Sequence, residues 1–166
     1  KAYIKKLGIM TAPPSFELAY NAACCFIECG DYTSALTVLR KAQTLCRDML
    51  EEDGLTDAEI ENELSVMYVQ EGFILQSLSK TAQADGTENE RALAIYTKIL
   101  TQHPTDPNVL SVASNNVITL RTGSGRVWDS LKKSSKAIGN LDLKDMTLSA
   151  RQKSAIQLNR ALALFH

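Results

Sequence analysis

The chain has 166 residues, 45% of them hydrophobic and 6% aromatic, with 18 Lys and Arg against 19 Asp and Glu. That length suffices for one domain with its own core or for a short stack of repeats, and a net charge of −1 argues against a wholesale polyanion binder. No apolar run approaches the ~20 residues needed to cross a bilayer, and Lys1–Met10 carries charges but no secretory core, so the reading is of a soluble chain with no membrane insertion.

The first 14 residues are expected to be extended, because Pro13-Pro14 forbids helix continuation. From residue 15 onward apolar spacing is helical nearly everywhere. Helices are predicted near 15–29, 32–51, 57–80, 88–102, 107–121, 126–138 and 149–165. In the first, Ala19, Ala22 and Ala23 allow close approach of a neighbour, with Phe26 beside them. Gly30-Asp31 then reads as a helix stop followed by an N-cap. In the second, Ala35, Leu39, Ala42, Cys46 and Met49 recur at intervals of one turn and define a single buried face. Thr56 with Glu59, Thr87 with Glu90 and Ser149 with Gln152 match capping boxes. Asp106-Pro107 offers a cap followed by proline at the first helical position.

Helix pairs with small residues at the crossing and a large apolar residue beside them resemble tetratricopeptide repeats, whose period is about 34 residues. Two stretches carry the resemblance: Gly30 to Ala42, and Ala92 to Leu100 closed by His103-Pro104. The candidate crossing residues Ala23, Gly72, Ser114 and Ala161 are separated by 49, 42 and 47 residues, so each unit holds extra loop or longer helices. The fold class expected is all-α: a right-handed solenoid of about seven helices over 15–166, a segment of a longer array whose last helix lacks a following partner.

Charge is polarised along this array. Eight acidic and no basic residues lie between Asp48 and Glu63. Nine basic residues against Asp129, Asp142 and Asp145 lie between Arg121 and Arg160.

Several segments, taken in order, resemble the family of the 72-kDa subunit of the eukaryotic signal recognition particle. They are Glu17 to Cys24, Ala113 to Thr119, Trp128 to Lys133 and Gln152 to Leu162. The resemblance implies a cytoplasmic scaffold that associates with the endoplasmic reticulum surface as part of the particle. It implies a repeat groove holding a segment of the 68-kDa subunit, and particle RNA contacted through a region outside this chain. The Lys80–Thr87 connection and the Cys24-Cys25 pair depart from the family pattern.

First helices of such repeats line the concave side. The expected partner-binding residues are therefore Glu17, Tyr20, Cys24, Ile27, Val69, Phe73, Gln76, Asn108, Ser111, Asn115, Ile118 and Thr119. Capture of a C-terminal carboxylate would require Lys or Arg where Tyr20, Val69 and Ser111 stand, so that mode is rejected. Lys132, Lys133 and Lys136 are the candidates for contact with phosphate or an acidic partner.

Little points to catalysis. Cys24, Cys25 and Cys29 match neither paired zinc spacing nor a disulfide framework, fit a reducing compartment, and read as small buried apolar side chains. His103 has no nearby nucleophile or carboxylate pair, and Trp128 is expected to cap the core. No cofactor, metal or enzymatic activity is expected. Two alternatives stay open: a tetratricopeptide adaptor of another complex, and a basic helical domain that contacts RNA.

Overall fold

The computed structural model describes residues 12–81, 86–121 and 146–164. Among the described residues there are six helices and no strand: α1 (Phe16–Glu28), α2 (Tyr32–Glu52), α3 (Asp57–Leu78), α4 (Glu88–Gln102), α5 (Pro107–Arg121) and α6 (Ala150–Leu164). The expected all-helical array of hairpins is the architecture observed. The helix predicted over 126–138 lies outside the described residues, as do Trp128, Lys132, Lys133 and Lys136. The chain divides into two compact units, residues 1–92 and 93–166.

In the first unit, local chemistry sets each boundary. Ser15 caps α1 by accepting from the Leu18 amide at 3.3 Å. Gly30 ends it with φ at 69°, while Asp31 donates its N–H to the Phe26 carbonyl at 2.9 Å. That conformation favours glycine, since a Cβ there meets its own backbone. Asp31 then accepts from the Ser34 amide at 3.2 Å and starts α2, so two residues both stop one helix and start the next. Thr56 and Glu59 form the predicted capping box at the head of α3, with the Thr56 amide donating to Glu59 at 2.8 Å.

These turns make α1–α2 and α2–α3 antiparallel hairpins whose apolar faces share one core. Ala19, Ala22, Ala23 and Phe26 of α1 pack with Ala35, Val38, Leu39, Ala42 and Cys46 of α2, and with Ile60, Leu64, Met67 and Ile74 of α3. The alanines let the helix axes approach closely and Phe26 fills the space beside them; truncating Phe26 to Ala would cost about 3–5 kcal/mol. Met49, expected on this face, is exposed at the end of α2. It falls in the last turn, beyond the reach of the shared core.

Two polar links tie α2 to α3. Glu71, buried, accepts from Arg40 Nε and from Gln43 Nε2, both at 2.9 Å. Arg47 pairs with Glu61 and donates to the Tyr68 hydroxyl at 3.0 Å, and that hydroxyl donates to Glu61 at 3.2 Å.

In the second unit α4 ends at His103, which has φ of 54° and donates its amide to the Ile99 carbonyl at 3.0 Å. Pro104 follows and cannot continue the helix. Asp106 accepts from the Asn108 amide at 2.8 Å and opens α5 with Pro107 at its first position. The Ser149–Gln152 box opens α6, the Ser149 amide donating to Gln152 Oε1 at 3.0 Å and the Gln152 amide to Ser149 Oγ at 3.3 Å. α6 packs on α5.

Of the four expected crossing residues, Ala23, Gly72 and Ser114 are buried but Ala161 is exposed. Leu158 and Leu162 are exposed on the same helix, at 59% and 47%. Among the described residues, the buried apolar side chain of α6 that joins a core cluster is Ile156, with Met146 and Leu148. Ala161 is exposed, so its small size serves no crossing among the described residues.

Candidate peptide-binding face

The twelve residues expected to line a groove separate into two sets according to what their side chains already touch. Seven lie in the first unit, on α1 and α3, and five in the second, on α5.

Because α1 and α3 both run antiparallel to α2, they run parallel to each other. Gln70 on α3 fixes their register, donating from Nε2 to the Cys24 sulfur on α1 at 3.4 Å. Two helical turns earlier on each helix stand Glu17 and Glu63. Both lie near Cys46, whose thiol is pushed up first by burial and then by these two carboxylates. On the α1 side Tyr20 is half-buried, and burial together with its bond to Cys24 pushes its phenol up. Ile27 is half-buried on the next turn.

On α3 the exposed stripe is apolar. Phe73 is 42% exposed and Val66, one heptad before it, is 43% exposed. Val69 and Gln76 are part-exposed beside them. Single exposed apolar residues need no explanation, but two large ones two turns apart on one helix form a strip. Glu17 is exposed at the acidic end. All seven expected residues of this unit therefore remain at least partly accessible. Val66, Gln70 and Glu63 belong to the same face and were missed; their spacing of 7, 3 and 10 residues before Phe73 carried the signal.

The second unit differs. Ser111 and Ile118, expected in the groove, are buried at 0% and 1% exposure. The Ser111 hydroxyl donates to the Met146 sulfur at 3.2 Å. Asn108 Oδ1 accepts from the Thr147 amide at 3.0 Å. Asn159 on α6 donates from Nδ2 to Asn115 Oδ1 at 3.0 Å and to Thr119 Oγ1 at 3.3 Å. Asn115 donates in turn to Asn116 Oδ1 at 3.1 Å, and Asn116 to the Tyr96 hydroxyl at 3.0 Å. This amide seam joins α4, α5 and α6. Of the five expected contacts here, Ser111 and Ile118 are corrected to core positions, while Asn108, Asn115 and Thr119 serve internal hydrogen bonds. A partner recruiting those amides would have to replace bonds already made.

The cysteines also depart from expectation. Cys46 is buried, but Cys25 and Cys29 are exposed and Cys24 is intermediate. Cys25 falls on the side of α1 turned away from the alanine face, and Cys29 caps the C-terminal end of the helix, where little packs over it. Among the described residues no group of three or more His, Cys, Asp or Glu is placed to hold a metal, and no helix is long and apolar enough to cross a membrane.

No family model matches the chain. It is 37% identical over 163 residues to signal recognition particle subunit SRP72 of Canis lupus familiaris and equally to that of Homo sapiens, covering 98% of this chain and 22% of each relative. It is 31% identical over 159 residues to the SRP72 of Caenorhabditis elegans, covering 96% of this chain and 23% of that relative. The chain belongs to the SRP72 family. It spans a little over a fifth of the length of the curated relatives it matches. Because the match runs through both units, the open face of α1 and α3 and the amide seam of α4 to α6 both lie in sequence shared with the SRP72 family.

Proposed function

We propose that this chain is a scaffold segment of the signal recognition particle that binds a segment of the 68-kDa subunit. The binding surface on this reading is the α1–α3 face of the first unit, with Phe73, Val66, Tyr20 and Ile27 as its apolar contacts. The observation that carries it is the exposed Val66–Phe73 strip in a chain whose relatives are named as subunits of that particle. An amphipathic or extended peptide gains by covering such a strip, since burying a large apolar side chain stabilises by about 1.5–3 kcal/mol. Through this assembly role the chain supports co-translational targeting to the endoplasmic reticulum from the cytoplasm, without chemistry of its own.

Co-elution tests the reading. The purified chain, mixed with the 68-kDa subunit, is expected to migrate with it on size-exclusion chromatography, and Phe73→Asp to migrate alone. Separate migration of the wild-type chain would overturn the reading, and so would co-elution unchanged by Phe73→Asp. Direct contact with particle RNA through Lys132, Lys133 and Lys136 rests on sequence alone and forms no part of this reading.

A further inference from the structure

We propose that the segment received by the α1–α3 face is basic as well as apolar: large apolar side chains seat along Val66 and Phe73, while Lys or Arg residues beside them meet Glu17 and Glu63. The inference rests on the reading above that this face takes a peptide, and adds the chemistry of that peptide. Residues 12–92 carry 15 acidic and 5 basic side chains. Topology then concentrates the acids. With α1 and α3 parallel and α2 antiparallel to both, the N-terminal ends of α1 and α3 share one end of the unit with the C-terminal end of α2. Glu17, Glu51, Glu52, Asp53, Glu59 and Glu63 all belong to that end.

Among the described residues, the arginines of α2 are already engaged. Arg47 is held by Glu61 and Tyr68 and lies 4.0 Å from Glu51, and Arg40 is held by the buried Glu71. Glu63 accepts an amide hydrogen from Asn62 at 3.4 Å, and neither Glu17 nor Glu63 forms an ion pair among the described residues. Each stands seven residues, about two turns, before the Cys24–Gln70 contact, which puts the two carboxylates at equivalent levels on the two parallel helices. A peptide lying along the Val66–Phe73 strip passes beside both. Opposite charge there raises the association rate and fixes the direction in which the peptide lies, while an acidic peptide of equal apolar content is repelled. Polyanions, nucleic acid included, are disfavoured at this face for the same reason.

The test uses overlapping 15-residue peptides spanning the 68-kDa subunit, measured by fluorescence anisotropy at 50 and 300 mM NaCl. Four forms of the whole chain are compared: wild type, Glu17→Lys/Glu63→Lys, Glu17→Gln/Glu63→Gln and Phe73→Asp. Glu17 and Glu63 are exposed, and the Gln pair removes charge without adding repulsion, so folding stays separable from binding. The captured peptides are expected to combine large apolar residues with Lys or Arg, and to bind several-fold more weakly at the higher salt. The Lys pair should lose about tenfold in affinity and the Gln pair less, with Phe73→Asp losing binding altogether. Captured peptides that are acidic or uncharged, or affinity unmoved by charge reversal, overturn this inference and leave the peptide reading standing. No captured peptide, or capture indifferent to Phe73→Asp, overturns both.

Discussion

The carboxylate of Glu71 on α3 accepts the Nε hydrogen of Arg40 on α2 at 2.9 Å. The acid is buried and the guanidinium more than half exposed, with side-chain exposures of 10% and 55%. Gln43 satisfies the second carboxylate oxygen. A buried carboxylate without partners is costly, so the pair sets how α2 and α3 register more than it adds stability. Arg40→Ala leaves the buried Glu71 carboxylate with Gln43 alone and is expected to cost about 2–3 kcal/mol. Glu71→Ala is expected to cost less, about 1 kcal/mol, because Arg40 can turn to solvent once its partner is gone. Urea unfolding of both single variants and the double variant measures the coupling directly.

Tyr96 is fully buried, and burial pushes its phenol well above the ordinary range despite the hydrogen bond from Asn116. In the folded chain the proton is retained, whereas the unfolded chain releases it near pH 10. Stability from this group is therefore complete below about pH 10 and falls as pH rises above it, by roughly 1.4 kcal/mol per pH unit until the folded group ionises. Tyr96→Phe is expected to cost about 1 kcal/mol at pH 7 through the stranded Asn116 amide, and to remove this alkaline loss. Thermal melts at pH 8, 10 and 11 check both effects.

Ser114, one of the expected crossing residues, is 1% exposed, and its hydroxyl is buried with no hydrogen-bond partner among the described residues. Small size is what the position requires; the hydroxyl carries an uncompensated desolvation cost. Ser114→Ala keeps the close approach and is expected to stabilise the chain by about 1 kcal/mol. Ser114→Leu is expected to destabilise it by about 1–3 kcal/mol through overpacking. Midpoints of chemical unfolding for the two variants should move in opposite directions.

Much of this fold was legible because its signals are local. Gly30-Asp31, Thr56 with Glu59 and Ser149 with Gln152 each act within four residues, and their structural roles match their sequence reading. The binding face was legible only in part, since position on a first helix does not determine what lies opposite. Asn115 and Phe73 occupy comparable places by spacing. One meets Asn159 from a helix 44 residues away, and the other meets solvent. The cysteines show a related limit: their residue type favours burial, while the angle of Cys25 on α1 and the place of Cys29 at the helix end expose them.

The amide seam gives a contrast that separates packing from recognition. Asn159→Ala removes two donated bonds, to Asn115 and Thr119, and is expected to cost about 1–2 kcal/mol while leaving affinity for the 68-kDa subunit unchanged. Phe73→Asp should do the reverse, because a side chain already 42% exposed contributes little to the core. Calorimetric melts paired with titration of the partner separate the two outcomes.

The most direct measurement places a photo-crosslinking benzoylphenylalanine at position 73, and separately at position 119, and irradiates each chain with the 68-kDa subunit. A covalent adduct is expected from position 73 and none from position 119. An adduct from position 119 alone, or none from position 73 under conditions where the two proteins co-elute, would contradict this expectation.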